Sequence, residues 1–599
     1  MAKELPVREM IAVEDTWDLT PIYASKADWE QELSVLEKKV ADMQEYKGHL
    51  ADSAQTLFGC IKLNDEINLL VSRIYNYAQR LYDQDLGNSE HKAMNGKAMM
   101  AYASALAGVS FITPEILEIP NNKLETFYIE EKGLELYRHH IEEILRVRAH
   151  ICSPETEEIL ARSSEMRETA HEAYSSLTNA DMTYPEVVDE NGETVRITQG
   201  RFVRLLESED RRVRKETFEL FFGVHKGLLN TFASLYAGQV KQLSFETQIR
   251  KYESNLEAAV DGNHVPSFVY KNLVDTVNKN LDKMHRYVKL RKKLLGLDEL
   301  HMYDIYTPMI AGVAQKFTYE EAKRLTIESL APLGEDYIEV VKEAFRDRWI
   351  DVYENQGKRG GAYSCAVYGT HPYMLLNYNG ALDEVFTLVH EMGHSMHSYY
   401  SNKTQPFVYA DYTIFVAEVA STCNEILLLE YLLKNETDNK KRAYLLNHYL
   451  DMFKGTLFRQ TQFAEFEMRT NEMSEQGETL TGEGLCSLYK EINEKYYGPD
   501  MISDDEIAYE WTRIPHFYYD FYVYQYSTSF CASVAIAHDI LERGEEAVKG
   551  YKEFLSGGCS LPPVELLKKV GIDFETEKPI QDAMDVMAGV LDELERITQ

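Results

Sequence analysis

Apolar residues recur every three or four positions along most of the chain, which is the period of amphipathic α-helices. Trp29, Leu33 and Leu36, for example, would lie on one face of an early helix that has Glu and Lys on its other faces. The same period continues through residues 54–108, 115–150, 155–178, 201–247, 267–295 and 319–346. The pattern predicts a mainly α fold, and without a fixed-period repeat it does not indicate a regular solenoid.

One interruption of the helical period lies at residues 184–198. Two short β-prone runs stand on either side of Asn191-Gly192 there, which predicts a β-hairpin. A hairpin between long helical segments is a plausible joint. We therefore expect an N-terminal helical region, residues 1–200, that ends in this hairpin, and a second region that comprises residues 201–599.

A second interruption lies at residues 357–380, where glycines are frequent. Residues 362–368 and 373–378 within it are β-prone and predict two short strands. The sequence therefore predicts a small β-sheet directly before the helix that begins near residue 383.

Charge and composition narrow the class of protein. The 599 residues include 63 Lys+Arg and 98 Asp+Glu, a formal net charge of −35, so nucleic acid and anionic membranes are not expected as partners. Residues 98–114, 360–382 and 521–538 carry few or no charges, but Pro, Gly, Asn, Ser or Gln interrupt each of them. We predict that these segments are buried in protein and do not span a membrane.

The cysteines and the N-terminus bear on location. Seven cysteines are scattered along the chain without a C-x-x-C pair, which is typical of reduced thiols. The first residues lack the apolar run of a secretory signal. The sequence therefore predicts a cytoplasmic protein.

The strongest chemical signal is an H-E-x-x-H motif formed by His390, Glu391 and His394. Histidines four residues apart lie one turn apart on the same helix face, where both can bind one Zn²⁺ ion. Glu391 follows the first histidine and can approach a water molecule on the metal. The motif therefore predicts a zinc site on a buried helix.

A catalytic zinc site usually has three protein ligands and one water molecule. About 10 Å of helix rise separates His397 from His390, so we assign His397 to packing or to support of a ligand. Glu418 is the better third ligand, because it is a lone acid among apolar residues and an unpaired buried carboxylate is costly. Glu425 could hydrogen-bond a ligating imidazole or lie on the surface, and the sequence leaves both open.

This residue set predicts hydrolysis. His390, His394 and Glu418 beside a further carboxylate match a hydrolytic site with one Zn²⁺ ion per chain. A metal-activated water would attack a carbonyl carbon, with Glu391 as the general base that then passes its proton to the leaving amine.

A segment near the C-terminus concentrates one histidine and six tyrosines within about twenty residues. Pro515 suits the first position of a helix, which would place His516 in the first turn. Tyr519, Tyr522 and Tyr526 would then share one helix face. An aromatic core stripe is the simpler interpretation, but buried phenols need partners, so a polar cleft with donors for an oxyanion is the alternative.

Six segments together closely resemble the oligoendopeptidase F group of the thimet oligopeptidase-like zinc peptidases. They are WDLTPIY (17–23), GKRGGAYS (357–364), HEMGHSMHSYY (390–400), IFVAEVASTCNE (414–425), IPHFYYDFYVYQYSTS (514–529) and FLSGGCSLPPVELLKKVGID (554–573). The resemblance spans nearly the whole chain and shows no departure at the metal-binding positions.

The resemblance implies a two-lobed helical body around a deep substrate channel, with the zinc on its floor and a small β-sheet next to the H-E-x-x-H helix. Such a channel admits short unstructured peptides and excludes folded proteins. The resemblance therefore implies a cytoplasmic zinc endopeptidase that acts on oligopeptides.

The resemblance also implies roles for individual residues. The zinc ligands and the general base of the family match His390, His394, Glu418 and Glu391. Two transition-state tyrosines of the family match Tyr519 and Tyr526, and a family histidine matches His516. The residues expected beside bound peptide are Gly360, Gly361 and Tyr522. A strand edge at this loop could pair with the substrate backbone.

Two other functions stay open at this point. A helical zinc carboxypeptidase would need a cation for the free C-terminus of its substrate, and Arg359 or Arg513 could supply it. A non-catalytic peptide-binding protein is the second alternative, although such a protein has no use for Glu391. The sequence predicts neither oligomeric state nor cleavage preference.

Overall fold

The structure is a computed structural model and describes residues 5–310 and 316–599. These residues form a mainly α-helical protein, as the apolar period predicts. The helices are α1 (Lys26–Met43), α2 (Ala54–Asp83), α3 (Ser89–Val109), α4 (Ile112–Glu118), α5 (Asn121–Glu130), α6 (Arg138–Arg146), α7 (Pro154–Arg162), α8 (Ser164–Arg167), α9 (Thr169–Ser176), α10 (Gln199–Leu206), α11 (Arg211–Gly227), α12 (Leu229–Arg250), α13 (Asn255–Asp261), α14 (Ser267–Lys279), α15 (Leu281–Leu294), α16 (Tyr319–Ser329), α17 (Glu335–Arg346), α18 (Leu382–Thr404), α19 (Ile414–Asn435), α20 (Asn439–Met452), α21 (Arg459–Glu475), α22 (Gly482–Tyr497), α23 (Tyr524–Arg543), α24 (Glu545–Leu555), α25 (Pro563–Lys568) and α26 (Lys578–Ile597). The strands are β1 (Glu186–Val188), β2 (Thr194–Arg196), β3 (Leu300–His301), β4 (Ile350–Asp351), β5 (Tyr363–Cys365), β6 (Tyr373–Leu375) and β7 (Met501–Ile502).

The described residues form two compact units, and each unit is assembled from separate stretches of the chain. Unit 1 contains residues 5–149, 316–428 and 536–571, and unit 2 contains residues 150–310, 429–535 and 572–599. The boundary predicted at residue 200 lies inside unit 2. The prediction divides the chain once along its length, whereas each compact unit combines three separate stretches of it.

Unit 1 has a core of helices from its N-terminal stretch. Ser25 and Ser53 cap α1 and α2, since each side chain accepts a hydrogen bond from a backbone N–H three residues later. Trp29 is fully buried, and its indole Nε1 donates to the carbonyl of Ile74 at 3.0 Å. The apolar face predicted for α1 is therefore the face that packs, with Leu36 also fully buried.

The small sheet of unit 1 has the strand order β4–β6–β5. β4 pairs with β6 in parallel and β5 pairs with β6 antiparallel, with Ser364 opposite Met374. Both strands predicted before the H-E-x-x-H helix are present, although each is only three residues long. Because β5 pairs on one side only, it is an edge strand, and α18 packs against β5 and β6.

Unit 2 contains the predicted hairpin. β1 and β2 pair antiparallel with Val187 opposite Val195, and Gly192 in the turn has a φ of 82°, a conformation that favours glycine. The helices of this unit include α12 and α21, which approach where the Tyr236 hydroxyl lies 2.7 Å from Thr470 Oγ1.

Helix α3 differs from its prediction. Residues 98–114 are mostly accessible and were expected to be buried; Met100 is 75% exposed. Across residues 5–310 and 316–599, the segment Ser89–Glu118 alone has the length and composition to cross a membrane. One such helix is weak evidence for membrane insertion, and the absence of a membrane partner stays a prediction.

Candidate active site

The H-E-x-x-H motif lies in the middle of α18. Asp383 and Glu384 occupy its first turn, where the helix dipole favours negative charge. Apolar side chains on both sides of the motif, including Val389 and Met392, are fully buried. The helix is therefore held on its apolar faces while His390 and the other histidine of the motif keep partial exposure.

Helix α19 approaches α18 closely at Gly393. A Cβ atom at this position would lie 2.5 Å from the Ala420 carbonyl oxygen and 2.5 Å from Ser421 Cα, so only glycine permits this contact. The Asn424 side chain also donates to the Val389 carbonyl at 3.3 Å. These contacts fix the position of α19 relative to α18, and with it the relative positions of the side chains on the two helices.

The contact brings the three predicted ligands together. Nε2 of His390 and Nε2 of His394 are 3.2 Å apart, and Oε2 of Glu418 lies 3.3 Å from the first and 3.5 Å from the second. A tetrahedral site with bonds of about 2.0 Å separates its ligand atoms by about 3.3 Å. The donor set and the spacing therefore fit a metal ion, and the three residues form a group that can hold one.

Two further side chains orient the ligands. Oε2 of Glu425 lies 3.5 Å from Nδ1 of His390, on the ring nitrogen that does not face Glu418. The Ser421 hydroxyl lies 3.1 Å from Oε2 of Glu418 and donates to it. The sequence left two possibilities open for Glu425, a hydrogen bond to a ligating imidazole or a surface position. The structure places its carboxylate beside the imidazole of His390.

These contacts shift the pKa values of the ligands. Burial favours neutral His390, but hydrogen bonds to Glu418 and Glu425 outweigh it and raise the pKa of His390 to about 10. Burial likewise opposes the charge on Glu418, yet hydrogen bonds from the two imidazoles hold the pKa of Glu418 well below its usual value. The site thus stabilises a positive charge beside the carboxylate, as a cation site must.

Glu391 is the carboxylate next to this group. It is 7% exposed, and its Oε2 atom is buried without a hydrogen-bond partner among the described residues. Burial raises the pKa of Glu391, and the positive charge of His390 and His394 opposes the rise. A carboxylate with a raised pKa and an unused oxygen is suited to accept a proton.

His397 is a packing residue. Its ring is fully buried and stacks on Tyr412 with centroids 3.7 Å apart, and neither ring nitrogen has a hydrogen-bond partner among the described residues. Burial lowers the pKa of His397 to about 3, so the imidazole is neutral. Packing was one of the two roles that the sequence left open for it.

The glycine-rich loop leads directly into the edge strand β5. Gly360 and Gly361 are exposed, and Gly361 has a φ of 83°. The Asn377 side chain holds the loop by donating to the carbonyls of Arg359 and Gly361 at 3.0 and 2.7 Å. The hydroxyls of Ser364 in β5 and Ser395 in α18 are 2.8 Å apart, so the strand lies beside the H-E-x-x-H helix.

The aromatic segment lies in unit 2, and its backbone differs from the prediction. Residues Pro515–Tyr518 form a 3₁₀ turn, and α23 begins only at Tyr524. Asp520 and Phe521 between them have φ values of 47° and 58°, which end any helix there. The prediction that a single helix carries His516 and three tyrosines is therefore wrong.

The turn nevertheless gathers the predicted side chains. The His516 ring lies 5.7 Å from Tyr519, 5.9 Å from Tyr522 and 6.0 Å from Tyr526, measured between centroids. Tyr519 is 47% exposed, and Tyr522 and Tyr526 are half-buried. Tyr518 instead stacks on Tyr174 in the core at 4.4 Å. The segment thus divides into core rings and an accessible cluster, which we call the His516 cluster.

Arg513 and Arg359 are the two arginines that could bind the free C-terminus of a substrate in a carboxypeptidase. Arg513 already contacts other side chains of the protein. Its guanidinium lies over the rings of Phe202 and Phe221 and 3.7 Å from Glu510, with 14% of the side chain exposed. Arg359 donates to Asp83 at 3.1 Å and keeps 54% of its side chain exposed.

Sequence reasoning missed Gly393 and Ser421. A glycine inside an apolar helix costs stability unless packing needs it, so Gly393 carried a readable signal. Ser421 offered none, because a serine three residues after a ligand is common in any helix.

Comparison with known proteins places this chain in a family. The model for "Peptidase family M3" matches residues 204–586, and the model for "Oligopeptidase F" matches residues 115–184. The interval between the two matches contains the β1–β2 hairpin.

Similar proteins cover essentially the whole chain. Oligopeptidase PepF of Bacillus subtilis is 46% identical, covering 100% of this chain and 89% of that protein. Group B oligopeptidase PepB of Streptococcus agalactiae is 42% identical, covering 97% of this chain and 96% of that protein. The crystal structure of oligoendopeptidase-F from Enterococcus faecium is 39% identical with a TM-score of 0.74, covering 96% of this chain and 99% of that one.

These matches agree with the resemblance seen in the sequence motifs, and they make the chain a metallopeptidase that acts on oligopeptides. This chain therefore belongs to peptidase family M3, in its oligoendopeptidase F group.

Proposed function

We propose that this protein is a zinc-dependent endopeptidase that hydrolyses internal peptide bonds of short unstructured oligopeptides. The observation that carries the proposal is the group formed by His390, His394 and Glu418, whose ligand atoms have the spacing of a tetrahedral metal site beside the buried carboxylate of Glu391. Two imidazoles, one ligating carboxylate and a second carboxylate suit zinc and hydrolysis.

The residues of the metal site have different roles in the proposed reaction. When bound, the zinc ion acts as a Lewis acid that polarises the scissile carbonyl and lowers the pKa of a water molecule. Glu391 accepts a proton from the attacking water and delivers it to the leaving amine. Glu425 holds the proton on Nδ1 of His390, so that Nε2 presents its lone pair to the ion.

The His516 cluster is proposed to stabilise the transition state. Phenol and imidazole N–H groups can donate to the oxyanion that forms when water adds to a carbonyl. Tyr519 and Tyr526 are the proposed donors, with His516 beside both rings. Burial lowers the pKa of His516, so this imidazole is neutral near pH 7 and keeps one N–H to donate.

Substrate binding is proposed at the edge of β5. An extended peptide can add to an unpaired strand edge through its backbone, which tolerates many side chains. Gly360 and Gly361 leave the approach to this edge open, since a Cβ atom at either position would meet no other atom within 4 Å. Tyr522 is proposed as a further contact to the peptide.

Several properties that the resemblance implies remain expectations within this proposal. They are the deep channel around which two lobes are built, the cytoplasmic location, and a lack of nucleic-acid and membrane partners. The proposal makes no statement about oligomeric state.

The test is digestion of an oligopeptide that is blocked at both ends, followed by mass spectrometry, with and without a zinc chelator. We expect internal cleavage that the chelator abolishes and added Zn²⁺ restores. If only the same peptide with free ends is trimmed, the protein is a carboxypeptidase or an aminopeptidase. In a carboxypeptidase, Arg359 would be the candidate cation for the free C-terminus of the substrate. A lack of cleavage of either peptide would favour a peptide-binding protein.

A further inference from the structure

The turn inside the His516 cluster has an unusual backbone. Asp520 and Phe521 are consecutive residues with left-handed φ values of 47° and 58°. Asp adopts this conformation with modest strain, but it is uncommon for a bulky residue such as Phe and persists only where the surroundings hold it. The turn joins Tyr519 to Tyr522, so its conformation decides where both rings lie.

Two helices of unit 2 hold this turn. The backbone N–H of Phe521 donates to Oε1 of Glu467 in α21 at 2.7 Å. The Gln239 side chain in α12 donates to the two carboxylate oxygens of Asp520 at 3.1 and 3.2 Å. The buried Phe521 ring packs edge-on against Tyr270 at 5.4 Å.

Glu467 is an unusual residue for such a contact. It is 1% exposed, and its Oε2 atom is buried without a hydrogen-bond partner among the described residues. Burial raises the pKa of Glu467 to about 8; the Phe521 N–H opposes the rise and the Asp520 charge adds to it. The other titratable groups that face this pair are Tyr236, Tyr270 and, beside Asp520, Glu168.

We propose that Glu467 is a positioning residue of the peptidase: it holds the Asp520–Phe521 turn in the left-handed conformation and thereby fixes Tyr519 and Tyr522 within the His516 cluster. The catalytic part of this inference rests on the proposed function, which assigns that cluster to the reaction. The structural part, the hold on the turn, does not depend on it.

Loss of the hold has a definite consequence. Without an acceptor for its N–H, Phe521 loses a hydrogen bond that favours the left-handed conformation and can return to the right-handed region that non-glycine residues prefer. Such a change re-aims Tyr519 and Tyr522. Misplacement of a catalytic group by about 1 Å can lower a rate by up to 10²-fold.

The experiment compares three variants of the full chain. Glu467→Ala removes the acceptor, and Glu467→Gln keeps the Oε1 acceptor in an uncharged side chain. Glu465→Ala is the matched control, since Glu465 is a buried glutamate of the same helix that contacts Tyr496 and Asn278 and not the turn. For each protein, hydrogen exchange of peptides covering residues 515–523, zinc content, kcat and KM are measured.

We expect Glu467→Ala to increase exchange at the turn and lower kcat about 10- to 100-fold with zinc content unchanged. Glu467→Gln should restore kcat at pH 7 to within about threefold, because its amide oxygen can still accept the hydrogen bond from the Phe521 N–H. Equal losses in Glu465→Ala and Glu467→Ala would overturn the proposal, because the effect would then be general destabilisation.

Two further outcomes keep the test decisive. If Glu467→Ala does not fold, Glu467→Asp, which draws the acceptor back from the Phe521 N–H by one methylene, must show the same rise in exchange at the turn, and unchanged exchange overturns the hold. Increased exchange with unchanged kcat overturns the positioning role. Failure of the proposed function is distinguishable, because the parent protein would then not cleave the blocked peptide at all.

Discussion

The carboxylate of Glu425 lies 3.5 Å from Nδ1 of His390, while that of Glu418 lies 3.3 Å from Nε2 of the same ring. Both glutamates belong to α19 and are two helical turns apart, so one helix contacts both nitrogens of one imidazole. A carboxylate at Nδ1 sets the tautomer, the ring orientation and the basicity of a ligating histidine.

Glu425→Gln is expected to weaken metal binding about 10- to 100-fold while leaving the three ligands in place. The measurement is competition for zinc with a chelator of known affinity. Glu430→Gln, five residues further along α19, is the control. Equal zinc affinity in Glu425→Gln and the parent protein would mean that Glu425 does not support His390.

Glu391→Gln is expected to retain zinc and to lose kcat by several orders of magnitude, because the amide cannot accept a proton from water. Zinc content by elemental analysis and single-turnover cleavage give the two readouts. Near-normal turnover would remove Glu391 as the base, whereas loss of zinc would show that this carboxylate supports the metal site instead.

Gly393→Ala is expected to separate α18 from α19. The new Cβ atom would meet backbone atoms of Ala420 and Ser421 at 2.5 Å, and backbone cannot move aside as a flexible side chain can. Overpacking of this kind costs about 1–3 kcal/mol of unfolding free energy.

Denaturant unfolding and zinc affinity should both report the change. Gly360→Ala, where a Cβ atom meets open space, is the control and should leave both unchanged. A Gly393→Ala protein with parental zinc affinity would show that the close approach of the helices is not needed for the site.

Tyr526→Phe is expected to lower kcat about 10²-fold with little change in KM, if its hydroxyl donates to the oxyanion only in the transition state. Tyr518→Phe is the control, because Tyr518 stacks on Tyr174 in the core. A change confined to KM would make Tyr526 a residue of substrate binding.

Glu467 and Asp520 are expected to contribute a loss of stability as the pH rises from 5 to 8, whereas the buried His225 and His397, whose pKa values burial lowers to about 3, contribute a gain up to about pH 6.5. Burial raises the pKa of Glu467 to about 8 and that of Asp520 to about 6, above their ordinary values of 4.5 and 3.8. Between those values the folded chain keeps protons that the unfolded chain has lost, so each rise in pH favours unfolding, by at most about 1.4 kcal/mol per pH unit and group.

Urea unfolding at several pH values measures this slope. Glu467→Gln, which cannot titrate, should lose less stability between pH 6.5 and 8 than the parent protein does. An unchanged slope would show that Glu467 is already ionised at pH 5.

The sequence by itself determined the local and chemical features of this protein. The apolar period predicted the helices, since a buried helix face needs side chains every three or four residues. The i, i+4 spacing of His390 and His394 predicted a shared metal because helix geometry alone brings them together. Glu418 was found because a lone carboxylate in an apolar helix needs a charged partner.

Tertiary structure alone decided what depends on contacts between distant segments. The turn at Asp520–Phe521 replaced a predicted helix, because Glu467 and Gln239 from other helices hold a backbone that propensity disfavours. The open face of α3 was expected to be buried, and this prediction was wrong. An uncharged helical segment has the same sequence pattern whether or not a neighbouring element covers it. Spacing along the chain predicts which residues share a helix face, but packing decides which faces meet.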